Sequence, residues 1–125
     1  MADGFTIKRR DELESMEGSG NATWHLIRRP LELAAFGINM VEIGPGGQIP
    51  EHDEKGSGEV EVYAILDGNG KFRLDGAEHD APAGTFVRID PEVSRTIVND
   101  SDAPLTALLI GVPADSGYKP MADWL

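Results

Sequence analysis

The close spacing of glycine and proline constrains this chain most, because it interrupts every apolar run before a long helix can form. Together these two residue types occupy 23 of 125 positions. Between them lie short runs in which apolar and polar residues alternate, most clearly over 36–43 and 60–66. Successive side chains of a strand point to opposite faces, so this alternation predicts β-strands with one buried face.

Further strands are predicted near 22–29, 48–52, 71–75, 77–80, 85–89, 94–99 and 104–112. The sequence Asp-Gly-Asn-Gly over 67–70 predicts a hairpin turn between the strands 60–66 and 71–75, since glycine and asparagine tolerate positive φ. Only 11–16 has a helical pattern, and it is one or two turns long. Frequent strands with turns between them predict an all-β barrel or sandwich of about eight to eleven strands.

The charge of the chain excludes several classes of partner. The formal net charge is −11 and the sequence pI is about 4.5, which disfavours binding to nucleic acid or to an anionic membrane surface. No run approaches the roughly 20 apolar residues of a membrane-spanning helix. The chain has no cysteine, so disulfides and thiolate metal sites are excluded. Without a visible secretory signal, a cytoplasmic location is expected.

The spacing of glycine, histidine, glutamate and proline resembles that of the cupin superfamily, whose first motif is Gly, five residues, His-x-His, three or four residues, Glu, six residues, Gly. Here five residues separate Gly46 from His52, and six separate Glu61 from Gly68. In the second motif, Gly76 stands five residues before 82–84 (Pro-Ala-Gly), and Asn99 ends the segment. The resemblance covers about 36–112.

The resemblance implies an all-β, single-domain cupin barrel, a double-stranded β-helix or jelly roll, with short N- and C-terminal arms. We therefore expect an N-terminal arm with the first strands over 1–35, a barrel core over 36–112 and a tail over 113–125. In metal-binding cupins the motif positions resemble a cage of three His and one Glu. This chain keeps His52 and Glu61, but it has Glu54 in place of the second His and Arg95 in place of the last one.

These departures make two kinds of site possible. His52, Glu54 and Glu61 offer one nitrogen and two oxygen donors, which is sufficient for Fe, Mn, Ni or Zn. Arginine cannot be a metal ligand, and its fixed charge opposes a cation nearby, so we expect no resident metal. Without one, Arg95 would pair with Glu61 or Glu59, or bind a ligand carboxylate through a two-pronged hydrogen bond. His52 would then serve as a general acid or base.

Strand alternation completes the predicted site. It places Glu59, Glu61 and Tyr63 on one face of strand 60–66, which would be the wall of a polar cavity. In the geometry that the cupin resemblance implies, His52, Glu61 and Arg95 point into the same cavity, so we expect these three to form the catalytic group. The predicted ligand-binding residues are Glu59, Tyr63 and Asn99.

Three functions stay open at this point. The first is a cupin that binds a small molecule and acts on a small carboxylate or carbonyl metabolite. The second is a non-catalytic homodimeric binding or structural module with a closed Glu61–Arg95 pair. The third is a metal-dependent cupin enzyme of the dioxygenase or isomerase type. A homodimer is expected for two reasons. The second face of strand 60–66 is apolar, consisting of Val60, Val62, Ala64 and Leu66. The tail also carries large apolar residues, namely Tyr118, Met121, Trp124 and Leu125.

Overall fold

The computed structural model of the protein describes residues 4–125 and contains nine β-strands after a short 3₁₀ turn at Arg10–Glu12. The strands are β1 Glu14–Glu17, β2 Ala22–Leu26, β3 Gly37–Ile43, β4 Glu59–Asp67, β5 Asn69–Leu74, β6 Ala77–Pro82, β7 Phe86–Ile89, β8 Arg95–Val98 and β9 Leu105–Pro113. The all-β class predicted from the alternating pattern is confirmed.

The strands form two antiparallel sheets. One has six strands in the order β1-β2-β3-β9-β4-β7, and the other has three in the order β6-β5-β8. In the larger sheet β9 lies between β3 and β4, pairing over seven residues with β3 and over most of its length with β4. These three strands carry most of the residues that line the candidate site.

The hydrophobic core lies between the two sheets. Along β9 the alternation is complete, because Leu105, Ala107 and Leu109 are buried whereas the residues between them are partly exposed. Tyr63 and Ile65 of β4 join the same core, which Phe72 and Ile97 complete from the smaller sheet. The strand faces therefore follow the period-two pattern of the sequence.

The predicted hairpin over 67–70 is wrong. β4 ends at Asp67 and β5 begins at Asn69, yet the two strands belong to different sheets. Gly68, with a φ of 86°, turns the chain from one sheet to the other, and a side chain there would collide with the Pro104 backbone. The hairpin joins β5 to β6 instead, through Asp75 and Gly76, both with positive φ.

Two other predicted elements differ from the structure. Segment 48–52 forms only two isolated bridges, Gln48 with Val98 and His52 with Arg95, because Pro50 has no N–H to continue a ladder. Segment 11–16 divides into the 3₁₀ turn and β1, which pairs with β2. Pairing with β2 supplies backbone hydrogen bonds over more residues than a helix of one or two turns would.

The tail after β9 contains no further strand or helix, and its large side chains face outwards. Trp124 is 83% exposed and Met121 is 92% exposed. These two side chains therefore do not cover the barrel of their own chain. Within residues 4–125, no helix is long and apolar enough to cross a membrane.

Candidate functional site

A cavity of about 230 Å³ opens on the inner face of the larger sheet. It is lined by residues of β2, β3, β4 and β9 together with His52, namely Trp24, Gly37, Asn39, His52, Glu59, Glu61, Tyr63, Leu109 and Gly111. The strand register explains this set, because Asn39 and Tyr63 each lie opposite Leu109, and Gly37 and Glu61 each lie opposite Gly111. Four of the predicted site residues therefore meet in one cavity.

The Glu61 carboxylate accepts hydrogen bonds from two side chains. The Arg95 guanidinium donates from Nη1 to Glu61 Oε1, and the Tyr63 hydroxyl donates to the same oxygen at 3.0 Å. Glu61 is the third residue of β4. The first four residues of this strand are partly exposed, and the next three, from Tyr63 to Ile65, are buried. These two contacts orient the Glu61 carboxylate at the wall of the cavity.

Arg95 supports the site from outside the cavity lining. Its side chain is fully buried. Besides Glu61, its guanidinium donates from Nε to the Val93 carbonyl at 2.9 Å and from Nη2 to the Asp90 carbonyl at 2.8 Å. All three of its nitrogens thus have acceptors within the protein, and Arg95 is not among the residues that line the cavity.

Tyr63 is a neutral hydrogen-bond donor at neutral pH. Burial raises the pKa of its phenol far above the ordinary value of 10, and the neighbouring Glu61 carboxylate raises it further. Both effects disfavour the phenolate, since a charged group loses hydration on burial and an adjacent anion repels it. Tyr63 therefore acts on Glu61 as a fixed hydrogen-bond donor.

His52 is oriented by backbone contacts on both sides. Its main chain exchanges two hydrogen bonds with Arg95, His52 N to Arg95 O at 3.1 Å and Arg95 N to His52 O at 2.8 Å. Its ring Nδ1 lies 3.0 Å from the Pro50 carbonyl, and its Nε2 lies 2.9 Å from Glu54 Oε2. Because a carbonyl only accepts, the tautomer that fits the Pro50 contact carries its hydrogen on Nδ1, and Nε2 then faces Glu54.

The same geometry offers a set of metal donors. Ligand atoms of His52, Glu54 and Glu61 lie within 4.8 Å of one another. Histidines that bind metals commonly donate their other ring N–H to a carbonyl or carboxylate, as His52 does to Pro50. The donor set therefore fits a divalent cation, although the Arg95 charge bound to Glu61 weakens the attraction.

Glu59 differs from the other carboxylates of the site. Ser57 and His52 flank Glu54, and Arg95 and Tyr63 hold Glu61. The carboxylate of Glu59 has no hydrogen bond or ion pair with any residue in the part of the chain that the structure describes. It reaches over Gly111, where an added Cβ would lie 3.0 Å from Glu59 Oε2.

Asn99 has a structural position instead of the predicted place in the cavity. It is fully buried, and its amide nitrogen donates to the carbonyls of Ile43 at 2.9 Å and Ala103 at 2.8 Å. Its oxygen accepts from the backbone and the hydroxyl of Ser101. The side chain thus ties the end of β3 to the loop before β9.

Sequence reasoning did not identify Trp24, Asn39 or Leu109, nor the glycines 37 and 111, as part of the site. Strand alternation predicts which face each residue occupies, but it does not reveal which strands are neighbours. The usable signal for the glycines was their place within otherwise apolar strands, where a glycine often marks a close approach of backbone or ligand.

Comparison of the sequence with known protein families agrees with this two-sheet fold. The cupin domain model Cupin_2 matches residues 39–111, which is more than half of the chain. The chain belongs to the cupin family. No curated protein matches the sequence.

Solved structures agree with the assignment of the fold. A cupin from Bacteroides fragilis is 27% identical, with a TM-score of 0.70 over 88% of this chain and 91% of that one. A predicted oxalate decarboxylase from Thermotoga maritima is 21% identical, with a TM-score of 0.76 over 86% and 99% of the two chains. A sugar phosphate isomerase of the cupin superfamily from Silicibacter pomeroyi is 20% identical, with a TM-score of 0.70 over 83% and 73%.

Proposed function

We propose that this cupin binds a small carbonyl compound in the cavity beside His52 and Glu61 and promotes proton transfer on it. The observation that carries the proposal is the arrangement of His52 Nε2 at the cavity wall, 4.0 Å from Glu61 Oε1 and 2.9 Å from Glu54 Oε2. An imidazole between carboxylates in a cavity is suited to general acid–base catalysis. His52 would move the proton, and the Glu61 carboxylate would orient the ligand by accepting a hydrogen bond from a hydroxyl or amino group that the ligand carries beside its carbonyl.

The structure favours a carbonyl compound over a carboxylate as the ligand. A carboxylate would need a cation with free donors in the cavity, whereas the Arg95 guanidinium is committed to Glu61 and two carbonyls. It would also have to approach Glu54, Glu59 and Glu61. A neutral carbonyl oxygen needs only one donor, which the side-chain amide of Asn39 in the cavity lining can supply.

The cavity size limits the ligand to a small metabolite. A volume of about 230 Å³ corresponds to the liquid volume of roughly seven or eight water molecules. This space also argues against the purely structural alternative, because a closed Glu61–Arg95 pair leaves the adjoining cavity unfilled.

A metal-dependent reaction is the second candidate, and the His52, Glu54 and Glu61 donor set favours it. A bound divalent ion would polarise a ligand oxygen as a Lewis acid. In that case His52, Glu54 and Glu61 would hold the ion, while Arg95 and Tyr63 would orient Glu61. Metal analysis of protein purified without added metal tests this candidate; we expect well under one equivalent, and a stoichiometric ion would favour the metal-dependent reaction.

Small carbonyl compounds tested by NMR provide the experiment for the main proposal. Binding should shift the indole N–H signal of Trp24, and solvent deuterium should enter the carbon next to the carbonyl of a bound compound. His52→Gln should abolish this exchange while binding persists. His79→Gln, which changes an exposed histidine of β6, is the matched control. Equal exchange in both variants would refute a role for His52, and a Trp24 signal unmoved by every compound would refute the cavity.

A further inference from the structure

We infer that the ligand of this cavity carries a positive charge, as an ammonium or amidinium group, and that Glu59 recognises that charge. The inference rests on the proposed small-molecule function and adds the charge class of the ligand. It concerns a residue outside the His52, Glu54 and Glu61 cluster, so it applies whether or not those three side chains hold an ion.

The charges around the cavity leave one carboxylate uncompensated. Glu61 is paired with the buried Arg95 guanidinium. Glu54 accepts a hydrogen bond from the Ser57 hydroxyl at 2.7 Å and lies 2.9 Å from His52 Nε2. Glu59 lines the same cavity and has no cationic or hydrogen-bonding partner within residues 4–125.

The backbone around Glu59 keeps its carboxylate accessible from the cavity. Gly37 and Gly111 lie opposite each other on β3 and β9, and both line the cavity together with Glu59. A side chain at Gly111 would press against Glu59 Oε2, so the glycine leaves room beside this oxygen. The same two glycines and Glu59 also line a neighbouring cavity of about 290 Å³ that extends towards Phe36 and Arg28, and the Arg28 guanidinium donates to the Leu33 carbonyl without forming an ion pair with Glu59.

Other groups of the lining suit an organic cation. Trp24 supplies an aromatic ring, and the face of an indole attracts ammonium and guanidinium groups. Asn39 adds an amide oxygen that accepts hydrogen bonds, and Leu109 adds apolar surface for a short carbon skeleton. The net charge of −11 further raises the local concentration of cations over that of anions.

Three compounds of nearly equal shape, namely benzylamine, benzyl alcohol and benzoate, test the charge class. Each is titrated into chelator-treated protein at neutral pH, and the NMR shift of the Trp24 indole N–H gives the affinity. Trp124→Phe in the background leaves a single indole signal, since the chain has two tryptophans. We expect benzylammonium to bind roughly tenfold more tightly than benzyl alcohol, and benzoate to bind most weakly.

Glu59→Gln identifies the recognising residue. It should remove the preference for the amine and leave the affinity for benzyl alcohol unchanged, which also shows that the variant is folded. Glu92→Gln, which removes an exposed carboxylate outside the cavity, should keep the preference.

Each contrary outcome has a distinct meaning. Benzoate binding as tightly as benzylammonium would overturn the charge inference alone, and so would a preference that survives in Glu59→Gln. No shift with any of the three compounds would also overturn the charge inference, whereas the small-molecule function is decided separately by the exchange experiment with carbonyl compounds.

Discussion

The buried guanidinium of Arg95 organises the candidate site without lining it. Removing a charge from water is costly, and the cost is offset here by Glu61 and by the carbonyls of Asp90 and Val93. Arg95 also exchanges two backbone hydrogen bonds with His52. One residue thus positions both of the side chains on which the proposed chemistry depends.

Arg95→Met should destabilise the protein strongly, because it leaves the Glu61 carboxylate largely buried without its cation. We expect the free energy of unfolding to fall by about 3–5 kcal/mol, measured by urea denaturation. The double variant Arg95→Met/Glu61→Leu should recover most of this loss, since it removes both charges. A single variant that loses less than about 1 kcal/mol, the range of an exposed pair, would show that the pair is solvated.

At the scale of the elements, one contact attaches the N-terminal 3₁₀ turn to the outer face of the larger sheet. Glu42 on β3 accepts a hydrogen bond from Arg10 of the turn and lies 2.6 Å from His25 Nε2 on β2. The hydrogen bond from Arg10 holds the pKa of Glu42 below its ordinary value of 4.5, against the effect of burial and with a smaller contribution from His25. The turn is therefore held by an ionised carboxylate.

This contact predicts a specific acid sensitivity. A carboxylate whose pKa is lower in the folded state stabilises the fold above its unfolded-state pKa, here near 4.5, and that contribution is lost as the pH falls through the folded-state value. Glu42→Gln should flatten the decline of the melting temperature below about pH 4.5, followed by circular dichroism. The control Glu14→Gln changes an exposed acid of β1 and should behave like the wild type. Identical pH profiles for wild type and Glu42→Gln would contradict the assignment.

At the scale of the whole molecule, the outer face of the larger sheet is apolar and partly exposed. Ile110 of β9 lies at its centre, paired with Ile38 of β3 and Val62 of β4. None of these three is fully buried, and Phe86 of β7 is 72% exposed. Exposed apolar surface of this kind is typical of an interaction site, so the homodimer expected from the strand pattern stays a prediction.

Light scattering coupled to gel filtration tests the dimer. We expect a mass of twice the 13.5 kDa chain for the wild type, since a stable interface buries about 800 Å² per partner. Ile110→Lys should shift the protein to the monomer by placing a charge in the centre of the face. Ile7→Lys, at a residue that is 76% exposed and outside the strands, should leave the dimer intact. A monomeric wild type would refute the prediction.

The local pattern of the sequence was sufficient for the strands and for part of the site. Alternation in β4 predicts correctly that Glu61 and Tyr63 face inwards, because the side-chain period of two depends only on neighbouring residues. The resemblance to the two cupin motifs also implied that His52, Glu54 and Glu61 lie together, and their ligand atoms do lie within 4.8 Å of one another.

Contacts between residues far apart in the chain decided the order of the strands in the sheets and the partners of the site residues. Gly68 directs β5 into the other sheet, and Arg95 contacts Glu61 without lining the cavity. Both features depend on which strands become neighbours. The free carboxylate of Glu59 and the contribution of Trp24 depend on the same pairing. Sheet order and side-chain partners are set by packing between residues far apart in the chain, and no local pattern encodes them.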